Sequence, residues 1–517
     1  MTTTRARDAL GATPNNRPVP RTWHRPALLL LGTVAQLFAV GGRWDIAAAA
    51  WIFPVLLLRF ARTGRAWSGA LWVWVAHFAA AVFWLFESKM GFSPLTLTGA
   101  AGLAALLALP FLLDRLLLGR VRPWMSLLAF PAALAGAEFL ITLLSPFGTA
   151  YGALAVTQYG DLPLLQVLAV TGAYGIGFLI AWVAAVVNRV WETASWRAAR
   201  SAVVTCAAVL LAVHLGGGAR LAFAPDRART VRIAGVTADR SVIEAQKAAF
   251  ARAAGAGRDI AAAAASSLRP AMTAVRNSLL AATRREATAG AKIVVWPEEA
   301  VRTTAADEHA TLAAARDQAR RSRIYLEIGV RVYGTAGPRS DRDETALIDP
   351  HGTVRWTYQK AHPIPGSEPF APGDGKVPVV DTPYGRIANV ICYDADFPAM
   401  MRAGADIMLV PAHDWREYGG AHTQKAALRG IESGYAVVRQ DAEGVSAAFD
   451  HQGHVLATAD YFTTGRQTMV AQVPVRGVGT PYDVIGDAFA WLCLAAAGAV
   501  AVAGVTGVAH PRPPRRP

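Results

Sequence analysis

Charge is what this sequence has least of. Only 17% of its 517 residues are Asp, Glu, Lys or Arg, against 53% hydrophobic, which excludes a simple soluble enzyme and leaves room for two domains. Cysteine is almost as scarce: Cys206 and Cys493 each sit in an apolar run, and Cys392 stands alone in the one large polar block. That spacing excludes a disulfide framework. No small-residue cleavage site separates the polar, Arg-rich first 25 residues from the apolar run that follows, so the start reads as an uncleaved anchor behind a disordered tail. A solenoid-type repeat is also missing. Acidic residues are outnumbered, with a net charge of +14, but the surplus Arg gathers at the ends of apolar segments and at the termini. Anionic lipid headgroups account for that pattern, and nucleic acid is not an expected partner.

Long apolar runs are plentiful. At about 20 residues per bilayer crossing, candidate spans are 26–41, 44–60, 67–86, 92–113, 124–144, 162–187, 201–218 and 484–508. Basic residues mark alternate loops: Arg59, Arg62 and Arg65, then Arg115, Arg120 and Arg122, then Arg189, Arg197 and Arg200, with Arg512, Arg515 and Arg516 near the C-terminus. By the positive-inside rule both termini are cytoplasmic, and seven crossings carry the polar block to the extracytoplasmic side. The expected organisation is a cytoplasmic tail (1–25), a seven-helix transmembrane domain (26–218), an extracytoplasmic domain (219–483), a last transmembrane helix (484–508) and a cytoplasmic tail (509–517).

Inside the polar block, β-branched runs alternate with Ala-rich helical stretches. Strands are predicted near 231–236, 292–296, 325–332, 345–348, 354–358, 387–391, 407–410, 436–441, 445–449 and 468–474, with helices near 242–288, 306–321 and 421–433. This alternation over some 250 residues predicts a layered α/β domain.

Three predicted strands end in chemistry. Lys292–Trp296 runs into Pro297 and Glu298, Thr357–Gln359 into Lys360, and Val390–Ile391 into Cys392. A thiol needs a base or a cation to bring its pKa of about 8.5 within reach of neutral pH. Glu298 is the expected base, and Lys360 with the backbone N–H after Cys392 the expected oxyanion partners. Taken alone, Cys392 reads as an inert buried thiol; the ordered set of three reverses that reading. Asp394 and Asp396 lack the His or Cys company of a metal site, so neither metal nor cofactor is expected. Glu138 and His77 are ionisable groups inside apolar segments, each either functional or a helix–helix hydrogen bond.

These segments resemble the nitrilase superfamily, and the whole architecture is similar to its membrane branch, the apolipoprotein N-acyltransferases. The resemblance rests on Trp296-Pro297-Glu298, on Tyr358-Gln359-Lys360 with Pro365 and Glu368, and on Cys392-Tyr393-Asp394. Weaker matches are Pro350-His351-Gly352 and the stretch from His422 to Gly434. It implies a transmembrane helix bundle carrying a nitrilase-like α/β/β/α sandwich, in the cell membrane, acting as a monomer. It also implies a reaction: Cys392 takes an acyl chain from a phospholipid as a thioester and passes it to the α-amino group of a lipoprotein's diacylglyceryl-cysteine. Glu368, Tyr393 and Asp394 would support the triad, and Trp415 and Glu138 would contact substrate.

Three departures bear on substrate. Asp394 stands where the family usually has Glu, the Asn-Asp-x-Trp-Phe loop reads His413-Asp414-Trp415, and Pro-Phe-Gly-Glu reads Pro365-Gly366-Ser367-Glu368. A membrane-anchored amidase, in which water resolves the acyl-enzyme, and a silent envelope scaffold are the rival readings. The triad argues against the scaffold, and the identity of the acceptor separates the other two.

Overall fold

A computed structural model describes residues 24–193, 195–223, 229–256, 259–334, 340–465 and 467–506. The C-terminal tail and nearly all of the N-terminal one lie outside these residues. The first region is helical: α1 (His24–Leu37), α2 (Ala47–Arg62), α3 (Ala66–Glu87), α4 (Pro94–Leu117), α5 (Pro123–Leu144), short α6 (Leu162–Leu165) and α7 (Leu168–Thr171), then α8 (Tyr174–Thr193) and α9 (Trp196–Phe223). Six described helices are long and apolar enough to cross a membrane: α3, α4, α5, α8, α9 and the last, at Ala488–Thr506. At 1.5 Å per residue, the described parts of α1 and α2 fall short of a hydrocarbon core of about 30 Å.

The segment expected as one span at 162–187 is corrected by the structure. It breaks at Gly172, whose φ of 63° is left-handed and whose α-hydrogen side faces the Tyr482 ring, where a Cβ would come within 2.6 Å. Only α8 continues into the bundle. The segment 145–171 instead folds over the bundle end that faces the second region, with Thr149 donating to Asp396 and Gln166 to the Gln452 carbonyl. At the opposite end, Arg62 makes a buried two-bonded pair with Asp114 (2.8 and 2.7 Å) and approaches Glu192. One Arg of the basic loops therefore ties α2, α4 and α8 together.

The second region comprises β1 (Thr230–Val236), α10 (Arg240–Gly255), α11 (Ile260–Ala264), α12 (Arg269–Thr288), β2 (Ile293–Val295), β3 (Val301–Thr304), α13 (Glu308–Ser322), β4 (Tyr325–Tyr333), β5 (Arg342–Ile348), β6 (Val354–Gln359), β7 (Val379–Thr382), β8 (Gly385–Asn389), α14 (Pro398–Met401), β9 (Ile407–Ala412), α15 (Gly419–Ser433), β10 (Ala436–Asp441), β11 (Val445–Phe449), β12 (Val455–Asp460) and β13 (Thr468–Pro474). Then α16 (Pro481–Ile485) leads to α17 (Ala488–Thr506), which packs on α5. The single long helix expected over 242–288 is three pieces. Strands β3, β7 and β12 have no counterpart among the predicted ones; β3 and β7 are only four residues long, and β12 is largely unburied along its length.

One sheet has the order β13-β1-β2-β4-β5-β6 with β3 on β4, the other β12-β11-β10-β9-β8-β7. Each has parallel strands at its centre and antiparallel ones outside. Period-two alternation makes the layers: Val231 and Ile233 of β1 face the second sheet, where Ile407, Leu409 and Val438 meet them, while Ala234 and Val236 face Leu279 of α12. Helix α15 covers the outer face of the second sheet. Almost every residue of α15 is buried, because Leu428 and Ile431 on its far side join the core of the membrane bundle. A helix apolar-packed on two sides is the joint between the two regions.

Candidate active site

Strand β2 is buried at all three residues, and the Trp296 indole, donating to Thr283 Oγ1 at 2.8 Å, anchors the turn that delivers Glu298. Lys360 follows β6 directly. Its ammonium is fully buried and donates to Glu298 Oε1 (2.6 Å) and Glu368 Oε1 (2.8 Å), with Asp343 of β5 at 4.0 Å. Burial alone would lower the Lys360 pKa, but Glu298 and Glu368 outweigh it and hold the pKa well above the usual lysine value. Burial and Glu298 push the Asp343 carboxyl well up. Glu368 also accepts from the Ile364 N–H at 2.7 Å, which fixes the turn beyond the lysine.

Cys392 opens a tight helical turn (Cys392–Asp396) after β8 with φ = 48°, a left-handed conformation that costs a β-carbon-bearing residue about 1–3 kcal/mol. That bend turns the thiol out of the strand direction. Asp394 maintains it: its Oδ2 accepts from Tyr358 Oη (2.8 Å) and its Oδ1 from the His362 N–H (2.8 Å). The carboxylate one methylene shorter than the family's Glu closes these bonds, joining the Cys392 turn to the Lys360 strand end. Burial and Glu298 push the thiol pKa well up, against the pull of Lys360 and Arg439. With its pKa held up in this way, the sulfur relies on a base during attack, the part expected of Glu298.

A second cluster stands on the other side of the sulfur; sequence reasoning missed its Arg439 and gave Asp396, Asp414 and His422 no role beside the thiol. Arg439 of β10 places Nη2 3.9 Å from Cys392 Sγ and 2.8 Å from Asp414 Oδ2. His422 of α15 lies between Asp414 (2.7 Å) and Asp396 (3.0 Å). By distance alone, Cys392, Asp414 and His422 are close enough to ligate one metal ion. Arg439 Nη2 already contacts all three, so its charge fills the place a cation would take.

The remaining predicted residues divide. Tyr393 and Trp415 line an apolar groove between the domain and α3 and α4, together with Trp84, Leu85, Leu103 and Tyr418. Each is tied to the bundle, Tyr393 by donation to the Pro146 carbonyl (2.9 Å) and Trp415 by donation to the Ser88 carbonyl (2.5 Å). Glu138 is not brought to the groove; it accepts from the Leu154 N–H at 3.1 Å inside the bundle.

Such an arrangement can carry a nucleophile, a base and an oxyanion cation near an apolar groove. The carbon-nitrogen hydrolase profile matches residues 252–480, and the apolipoprotein N-acyltransferase N-terminal domain profile matches residues 30–186. A curated apolipoprotein N-acyltransferase of Geobacter metallireducens is 26% identical over 548 aligned positions, covering 94% of this chain and 96% of that protein. A formamidase of Bradyrhizobium diazoefficiens is 34% identical over 149 positions, 25% of this chain and 42% of that one. Among solved structures, an amidase from Nesterenkonia sp. superposes with a TM-score of 0.38 at 22% identity, over 48% of this chain and 93% of its own. Fold and site thus define a membrane-embedded carbon-nitrogen hydrolase whose sandwich rests on a helix bundle. The chain belongs to the apolipoprotein N-acyltransferase family, and it is an acyltransferase.

Proposed function

We propose that Cys392 carries an acyl chain from a phospholipid to the α-amino group of a diacylglyceryl-cysteine at a lipoprotein's N-terminus. The observation that carries the reading is that Tyr393, Asp414 and His422, the residues around Cys392, line an apolar groove made partly by membrane helices, while the Glu298–Lys360 pair lies close enough to act on the thiol. Glu298 takes the Cys392 proton as sulfur attacks the donor ester carbonyl. Lys360 and the Tyr393 N–H hold the oxyanion. Collapse releases the lysophospholipid alcohol, which leaves with the proton from Glu298, and a thioester remains. The acceptor amine, deprotonated by Glu298, then displaces sulfur to give the amide. Amide formation from a thioester is downhill, so no nucleotide is consumed.

The membrane placement supports an extracytoplasmic site in a multi-pass cell-membrane protein. The ends of α2, α4 and α8, with Arg59, Arg62, Arg115 and Arg189, lie away from the sandwich, while the Ser88 and 145–171 segments touch it. With basic loops cytoplasmic, the sandwich lies outside.

The test is mass spectrometry of lipoprotein N-termini in cells carrying only Cys392→Ala, beside purified enzyme given phospholipid without acceptor. Loss of one acyl mass in cells, and a hydroxylamine-labile acyl adduct on native but not variant enzyme, are expected. Unchanged N-acylation in the variant refutes the proposal. For orientation, a reporter fused after Gly218 is active outside the cytoplasm; activity inside overturns the topology.

A further inference from the structure

Glu298 faces a second cavity, on the other side from the apolar groove. It is lined by Glu298, Glu299, Arg302, His413, Glu443 and Lys247, and leaves about 50 Å³ for the centres of water-sized molecules, more than the roughly 10–15 Å³ that one water needs. The titratable groups along it run from 2% exposed at the Glu298 side chain to 42% at Lys247, with Glu299 (16%), Glu443 (19%) and His413 (29%) between these limits. His413 stands in the middle. Its Nδ1 lies 4.0 Å from Glu299 Oε2 on the inner side and its Nε2 3.8 Å from Glu443 Oε1 on the outer side, and Lys247 Nζ meets the same Glu443 oxygen at 2.6 Å. Asp441 holds the two loops in place by accepting from the N–H groups of both Asp414 and Glu443.

The proposed reaction requires such a path. An N-terminal amine has a pKa near 7.7–8.0 and arrives as the ammonium at neutral pH. When its nitrogen bonds to the acyl carbon and the C–S bond breaks, the nitrogen sheds two protons: one returns to Cys392 sulfur and the other must leave. One proton per turnover therefore exits a buried site whose main groove opens on apolar surface.

We infer that the polar cavity is this exit, with His413 passing the proton from the Glu298 and Glu299 side to bulk solvent and the Glu443 carboxylate orienting the ring. The charged groups facing His413 are Glu298 and Glu299 from the β2–β3 turn, Arg302 of β3, Arg331 of β4 (2.6 Å from Glu299), Lys247 of α10 and Glu443 of the β10–β11 turn. Burial lowers the imidazole pKa, and Glu443 and Glu299 more than offset it, which leaves it raised above the usual imidazole value.

The inference rests on the acyl-transfer reading and is tested by resolving its two steps in full-length enzyme in detergent at low buffer concentration. Thioester formation from phospholipid, which releases no net proton, proceeds in His413→Gln within about twofold of native. Aminolysis of the preformed thioester by a diacylglyceryl-cysteine peptide slows about 10²-fold, the low end of proton-transfer effects, most strongly at low pH, and added imidazole restores it. Glu443→Gln slows the same step. Equal loss of both steps without imidazole rescue, or an aminolysis rate and pH profile unchanged in His413→Gln, overturns the exit path and leaves the acyl-transfer reading standing. Failure of native enzyme to form a thioester refutes the acyl-transfer reading, and the exit path with it.

Discussion

Cys392 lies between two buried charge clusters that differ in kind. On one side Lys360 sits among Glu298, Glu368 and Asp343, supplied by the first sheet and the loop beyond it. On the other, Arg439 and His422 sit among Asp414 and Asp396, supplied by the second sheet, α15 and the Cys392 turn. Glu298 can trade protons with substrate and Lys360 can follow a developing oxyanion, whereas a guanidinium never deprotonates in a protein. The comparison separates a side that performs proton chemistry from a side that supplies a constant field and holds the turn in place.

The largest effect expected is from Cys392→Ala, which removes acyl transfer altogether with membrane insertion intact, read by lipoprotein mass spectrometry. Lys360→Met follows, with a loss of about 10³-fold in acyl transfer, the upper range for one oxyanion donor. Arg439→Met sharpens the contrast: it leaves Asp414 uncompensated in the interior, destabilising the sandwich by about 3–5 kcal/mol, while Arg439→Lys recovers much of the stability. If thermal unfolding showed no loss but the rate fell as far as in Lys360→Met, the proposed division would be wrong. Glu368→Gln, which weakens one of the two shortest Lys360 contacts, lowers the rate by about tenfold with little change in melting temperature.

The smallest effect concerns acid stability. Burial would raise the Glu443 pKa, but His413 and Lys247 hold it at about 2. A carboxylate depressed on folding contributes stability that is present above its unfolded pKa of about 4.3 and lost as pH falls toward 2. The melting temperature of Glu443→Gln should therefore trail native at pH 6 and converge with it by about pH 2. A constant difference across that range contradicts the ion-pair assignment.

The legible parts of the site were those attached to strand ends. Glu298, Lys360 and Cys392 each close a short β-branched run, so period and punctuation located them without tertiary information. Arg439 was not legible, because it lies inside Ala436–Asp441, where a charged residue reads as the solvent face of a strand. Every residue of β10 is in fact buried, since α15 covers one face and the first sheet the other. Asp343 lies outside the strand predicted at 345–348, and Asp414 and His422 stood out only as part of the altered loop and of a weaker family match, with nothing to link them to the thiol. The apolar segment at 162–187 misled for the opposite reason: hydrophobicity signals burial, and protein buries 162–171 here in place of lipid.

By itself the sequence determined the class of architecture and the order of the reacting groups, because hydrophobic runs, alternation and strand-end motifs are local properties of the chain. Tertiary structure alone decided which charges share the thiol's surroundings, that burial and Glu298 outweigh the nearby cations there, and that Glu298 lines a polar cavity while Tyr393 lines an apolar groove. These depend on distance and desolvation between residues up to hundreds of positions apart, and no local pattern encodes them.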